Sequence, residues 1–118
     1  MEEGDEQPRT STDKKKNQSG FAQYSFAYEL FKAILVNGIK VPTPVQKKTI
    51  PVIMSGKDAI VCYKTGSGKT LAYLLPMIHK LKCHSTIVGA RGLIIVPTKD
   101  LAEQISKVLQ AYKKYTDL

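Results

Sequence analysis

The feature that most limits what this chain can fold into is the run DAIVCYKTGSGKTLAYLLPMIHKLK, residues 58–82. Its first six residues form a short apolar stretch bounded by charge and by a glycine loop, the pattern of a strand buried on both faces. From Lys69 onward the apolar residues recur at helical spacing, with Pro76 expected to kink the helix. Between the two, Gly66 and Gly68 let the backbone turn sharply and present N–H groups to an anion, with the positive end of the helix behind them. Strand, glycine turn and helix in that order make a phosphate cradle. Lys69 is placed to reach the β and γ phosphates of a nucleotide, and Thr70 to offer its hydroxyl to Mg²⁺. The complete G-x-x-x-x-G-K-[ST] pattern is not met, because Tyr63 stands where its first glycine belongs.

The flanking segments extend this unit. GLIIVP, residues 92–97, reads as a second buried strand, and TKDLAEQISKVLQAYKKY, residues 98–115, as a helix with Leu101, Ile105, Val108, Leu109 and Tyr112 on one face and Thr98 as its N-cap. Upstream, Leu30, Phe31, Ile34 and Leu35 mark a helix from about Ser25 that stops at Asn37-Gly38. VPTPVQKKTIPVIMSGKD, residues 41–58, predicts a second helix started by Pro44 and ended by Gly56, with Pro51 bending or splitting it. Two helices followed by strand, helix, strand and helix are the opening of a right-handed parallel α/β fold.

Composition separates a tail from this unit. Residues 1–19 hold no aliphatic or aromatic side chain after Met1, so they are expected to remain a disordered charged tail, with the folded portion spanning 20–118. Residues 21–118 carry fourteen basic against five acidic side chains, so the positive field belongs to the fold and favours a polyanionic partner. Lys14, Lys15 and Lys16 are too short a run to define a nuclear address. Cys62 and Cys83 lack neighbours at metal-ligand spacing and read as reduced thiols without a disulfide partner. No apolar run reaches the eighteen or so residues of a membrane span, so no membrane role is expected.

Base selection has a candidate in Gln46. Its amide can accept from adenine N6 and donate to N7, a pair that guanine O6 cannot reproduce, although a glutamine near a helix start is usually a surface residue.

Three segments in order resemble the motifs of DEAD-box RNA helicases: GIKVPTPVQ (38–46) their Q motif, TGSGKT (65–70) their motif I, and PTKDLAEQ (97–104) their motif Ia. Phe21 lies seventeen positions before Gly38, where that family places an isolated aromatic against adenine. The resemblance implies a partial RecA-like parallel-sheet domain of the P-loop NTPase class, preceded by the Q-motif helices. It implies ATP and Mg²⁺ as ligands, held by Phe21, Gln46, Thr65, Gly66, Ser67, Gly68, Lys69 and Thr70. Of these, Lys69 and Thr70 are the catalytic pair and Thr70 the Mg²⁺ contact. Pro97, Thr98 and Lys99 are implied contacts to an RNA backbone, which such contacts grip regardless of sequence.

The segments KVPTPVQKKTIPVIMSGKD and GARGLIIVPTKDLAEQ are most similar to the branch acting in large ribosomal subunit assembly, which implies pre-ribosomal particles as partners and the nucleolus as location. Three positions depart from the family pattern. Tyr63 replaces the usual alanine, and Lys99-Asp100 replaces Arg-Glu, keeping both charges but losing the planar guanidinium. The family's D-E-A-D carboxylates, its S-A-T motif and its second RecA-like domain are expected beyond Leu118, so the chain is expected to be a catalytically inactive fragment that exposes apolar strand faces. Two other readings remain open on the residues: a non-catalytic ATP- or RNA-binding stub, and a P-loop kinase of small molecules, for which the Q motif and motif Ia have no use.

Overall fold

A computed structural model describes residues 20–81 and 85–118. The expected tail at 1–19, together with Lys82, Cys83 and His84, lies outside the described residues.

Among the described residues, four α-helices and one 3₁₀ turn carry the packing: the turn Gly20–Tyr24, then α1 (Tyr28–Val36), α2 (Pro44–Met54), α3 (Lys69–Leu81) and α4 (Lys99–Lys113). Their ends follow from the residues that stand there. Asn37 caps α1 through its backbone N–H, which donates to Ala33 O at 3.0 Å, and Gly38 leaves the helix at φ 77°. The segment TPVQ starts α2 with a reciprocal capping box between Thr43 and Gln46, and Pro44 stands in the first turn, where its missing N–H costs nothing. Gly56, at φ 85°, follows its end. Thr98 caps α4 through Oγ1, which accepts from Leu101 N at 3.3 Å.

Pro51 and Pro76 lie within α2 and α3, and neither divides its helix. For α2, Lys47 and Pro51 are both exposed, so water can satisfy the Lys47 carbonyl that Pro51 leaves without a donor.

The helices meet along α3. It lies against α2 over much of its length, and α1 touches both α3 and α4. Leu30, Ala33 and Ile34 of α1, Ile50 of α2, Leu75 and Ile78 of α3 and Tyr112 of α4 close one buried cluster, which Phe21 joins from the 3₁₀ turn. Burying a side chain such as Leu75 contributes about 1.5–3 kcal/mol.

The two expected strands require a correction. Among the described residues neither 58–63 nor 92–97 forms a strand, and both are open rather than buried: Ile60 is 96% exposed, Leu93 77% and Ile95 85%. The apolar run identifies segments able to form a buried strand, but a strand is a paired object. With no backbone ladder beside them here, their side chains face outward.

Candidate nucleotide site

The site grows from the loop that joins the segment at 58–63 to α3. Gly66 and Gly68 take φ of 76° and 89°, the left-handed region that suits glycine. They are needed for different reasons. A Cβ on Gly66 would meet nothing within 4 Å, so its requirement is conformational alone. A Cβ on Gly68 would lie 2.7 Å from Gln46 Nε2 and 3.1 Å from Thr43 Oγ1, so its requirement is also one of space.

That proximity reflects a link between two motifs. Gln46 is 2% exposed, and its amide is engaged at both ends: Oε1 accepts from Thr43 N at 2.9 Å, while Nε2 donates to Gly68 O at 3.2 Å. The same Gly68 carbonyl accepts from Ala72 N at 3.2 Å in the first turn of α3. Gln46 therefore ties the start of α2 to the start of α3, and keeps one N–H and one lone pair for a further partner. Thr43, which completes this link, was not among the expected site residues. The T-x-x-Q spacing of a capping box is the signal that points to it.

Lys69 Nζ donates to Tyr63 O at 2.6 Å, which draws the amine back over the loop and leaves two N–H groups free of that bond. Because Tyr63 contributes its carbonyl, the departure from alanine leaves this contact intact. Ser67 Oγ is buried without a partner, as expected of a loop built around an acceptor that is not protein. Thr65, Gly66, Gly68, Lys69 and Thr70 together line a cleft of about 530 Å³, closed on its other side by Leu101 and Ile105 of α4. Left-handed glycines, a cationic amine and a helix N-terminus converge there, with the buried Ser67 hydroxyl in the same loop, and this set fits phosphate.

The remaining expected residues lie apart from the cleft. Phe21 is 2% exposed and sits in the helical core, edge-on to Tyr24 with ring centroids 6.2 Å apart. Its neighbours Gly20, Gln23 and Tyr24 line a separate cavity of about 560 Å³ with Lys40, Val41 and Pro42. Pro97, Thr98 and Lys99 are exposed at the start of α4, next to Val96 and Leu101 on the cleft wall. Lys99 Nζ approaches Glu103 Oε1 at 3.7 Å across one helical turn. Cys62 is an exposed free thiol, and among the described residues no cluster of three or more His, Cys, Asp or Glu could hold a metal. No helix among them is long and apolar enough to cross a membrane.

A glycine loop wired to a helix N-terminus in this way is the arrangement of a phosphate-binding loop. Comparison with known proteins narrows the class. The profile of the DEAD/DEAH box helicase family matches residues 43–118, and the chain belongs to that family. It is 48% identical over 113 residues to the ATP-dependent RNA helicase DDX54 of Mus musculus, covering 96% of this chain and 13% of that protein. It is 52% identical over 103 residues to the ATP-dependent RNA helicase dbp10 of Neosartorya fischeri, covering 87% and 11%. The chain thus spans little more than a tenth of the length of these relatives.

Among solved structures, the RNA-helicase Prp28 from Chaetomium thermophilum bound to ADP superposes with a TM-score of 0.75 at 28% identity, over 82% of this chain and 24% of that one. A hypothetical ATP-dependent RNA helicase from Sulfolobus tokodaii gives 0.63 at 36% identity, over 74% and 24%. These neighbours establish the fold class expected from the sequence, part of a RecA-like α/β P-loop domain, although its sheet is not formed among the described residues.

Proposed function

We propose that this chain is the ATP-binding part of an ATP-dependent RNA helicase. The observation that carries the proposal is the bond from Gln46 Nε2 to the Gly68 carbonyl, which makes the base-reading candidate and the phosphate loop one unit. In this reading the backbone of residues 65–70 and the Lys69 amine hold the phosphates, and the Thr70 hydroxyl supplies one Mg²⁺ ligand. The ion, when bound, would neutralise charge on the phosphate oxygens. The free N–H and lone pair of Gln46 read the adenine edge, and the cavity beside Gly20, Tyr24 and Lys40 gives the base its wall. Phe21, buried one residue into that wall, supports it from behind.

Pro97, Thr98 and Lys99 face solvent beside the cleft, where an RNA backbone can lie along the N-terminus of α4. No carboxylate lines the cleft among the described residues, so these residues bind ATP without supplying the group that orients an attacking water. Hydrolysis and duplex destabilisation belong to a longer polypeptide of this family. The resemblance to the branch acting in large ribosomal subunit assembly supports pre-ribosomal RNA as substrate and the nucleolus as location.

The test is base discrimination. ATP is expected to bind more tightly than GTP, and Gln46→Ala to erase most of the difference. A parent chain that binds both equally would sink the adenine role and leave a generic phosphate loop.

A further inference from the structure

His79 lies ten residues after Lys69 on α3, about 15 Å along the helix from the phosphate loop at 1.5 Å per residue. Nothing in the site described above uses it. Yet its Nδ1 accepts a hydrogen bond from Ala27 N at 3.1 Å, across 52 positions of sequence. Ala27 is the N-cap residue of α1 and has no side chain able to cap, so the imidazole on α3 supplies an acceptor at the start of that helix. As an acceptor at Nδ1, the neutral ring carries its proton on Nε2.

The same ring ends a chain of aromatic contacts. Phe26 lies 5.7 Å from His79 between centroids, Tyr24 lies 5.7 Å from Phe26, and Phe21 lies 6.2 Å from Tyr24. This ladder runs from α3 into the 3₁₀ turn that walls the base-side cavity. Within it, Ser25 adopts φ 53°, a left-handed conformation that residues with a Cβ take at a cost and keep only where the surroundings impose it. Gly20 presses against the Lys40 carbonyl, which a Cβ would meet at 2.9 Å, so the turn also fixes the 40–42 segment on the opposite wall.

We infer that His79 is a positioning residue for base recognition: its hydrogen bond to Ala27 and its ring contact with Phe26 pin the Gly20–Tyr24 turn against α3, the helix that begins at the phosphate loop. This rests on the assignment of that turn to the base side. His79 touches no nucleotide. It acts through Phe26 and Tyr24, so its removal loosens the base wall and spares the cradle. The cavity of about 480 Å³ that His79 lines with Leu30 and Ile78 would be enlarged by truncation of the ring rather than refilled.

The experiment compares ATP, GTP and inorganic tripolyphosphate binding to the chain and to His79→Ala, His79→Phe and His79→Gln. Tripolyphosphate reads the cradle alone, and ATP reads cradle and base wall together. His79→Ala is expected to weaken ATP about five- to tenfold and tripolyphosphate less than twofold. His79→Gln, which keeps an acceptor, is expected to recover most of the ATP affinity. If His79→Ala unfolds and loses both ligands, His79→Phe decides, because it keeps a ring against Phe26 and removes only the acceptor. An ATP-selective loss there supports the inference. Equal losses of ATP and tripolyphosphate in His79→Phe, or unchanged ATP affinity in both the Ala and Phe variants, overturns it. A parent chain that does not separate ATP from GTP removes the base-side assignment first, and the inference with it.

Discussion

At the scale of single residues, the two loop glycines offer a direct contrast. Gly66→Ala meets only the conformational penalty of a left-handed residue, roughly 1–2 kcal/mol, because its Cβ would enter open space. Gly68→Ala adds a Cβ that cannot coexist with Gln46 Nε2 at 2.7 Å, so it must break the link between α2 and α3 as well. Titrating ATP into both variants should show the larger loss for Gly68→Ala. Equal losses would mean that the link contributes nothing to binding. The phenol of Tyr112 gives a second case. Its hydroxyl is buried without a partner, and burial pushes its pKa up to about 12 from an ordinary 10. The neutral phenol is favoured in the fold, so its contribution is fully present below pH 10 and falls away as pH rises toward 12. Tyr112→Phe removes the orphan hydroxyl and should stabilise by about 1 kcal/mol while flattening alkaline unfolding. A lower melting temperature for that variant would show that the Tyr112 hydroxyl has a hydrogen-bond partner in solution.

At the scale of elements, the start of α4 combines a structural role with the proposed RNA contact. Thr98 is its N-cap, and Thr98→Ala should cost about 1 kcal/mol of stability in a denaturant titration. Lys99 is 87% exposed and shared with Glu103, an arrangement of small energetic weight that leaves the amine available to a phosphate. Lys99→Arg should tighten RNA binding at matched salt, since the guanidinium fork contacts two oxygens. Unchanged or weaker affinity would count against RNA at this helix start. Elements were also what the sequence revealed best. Asn37-Gly38, Pro44, Gly56 and Thr98 marked helix ends because such end signals are local chemistry, complete within four or five residues, and the capping box from Thr43 to Gln46, equally local, was overlooked. The roles of Gln46 toward Gly68 and of His79 toward Ala27 were not legible, because each depends on residues 22 and 52 positions away that only packing brings together. The runs at 58–63 and 92–97 show the converse: a strand's pattern is local but its pairing is not.

At the scale of the whole molecule, a well-closed helical cluster stands beside two open apolar segments. Ile60, Leu93 and Ile95, with Ile87 and Val88 at 80% and 100% exposure, present surface that soluble domains ordinarily cover. The chain should therefore self-associate with rising concentration, and Ile95→Lys should reduce that tendency without disturbing the buried cluster. A monomer at every concentration in sedimentation would show these segments to be covered in solution. Independently of that result, residues 65–70 are proposed to form a phosphate site for ATP, with Lys69 as its cation. Calorimetric titration of ATP into the dilute chain, beside Lys69→Ala, tests it most directly. Saturable one-to-one binding is expected, weakening about tenfold or more when the amine is removed. Binding that is absent from the parent chain, or the same with and without Lys69, would contradict it.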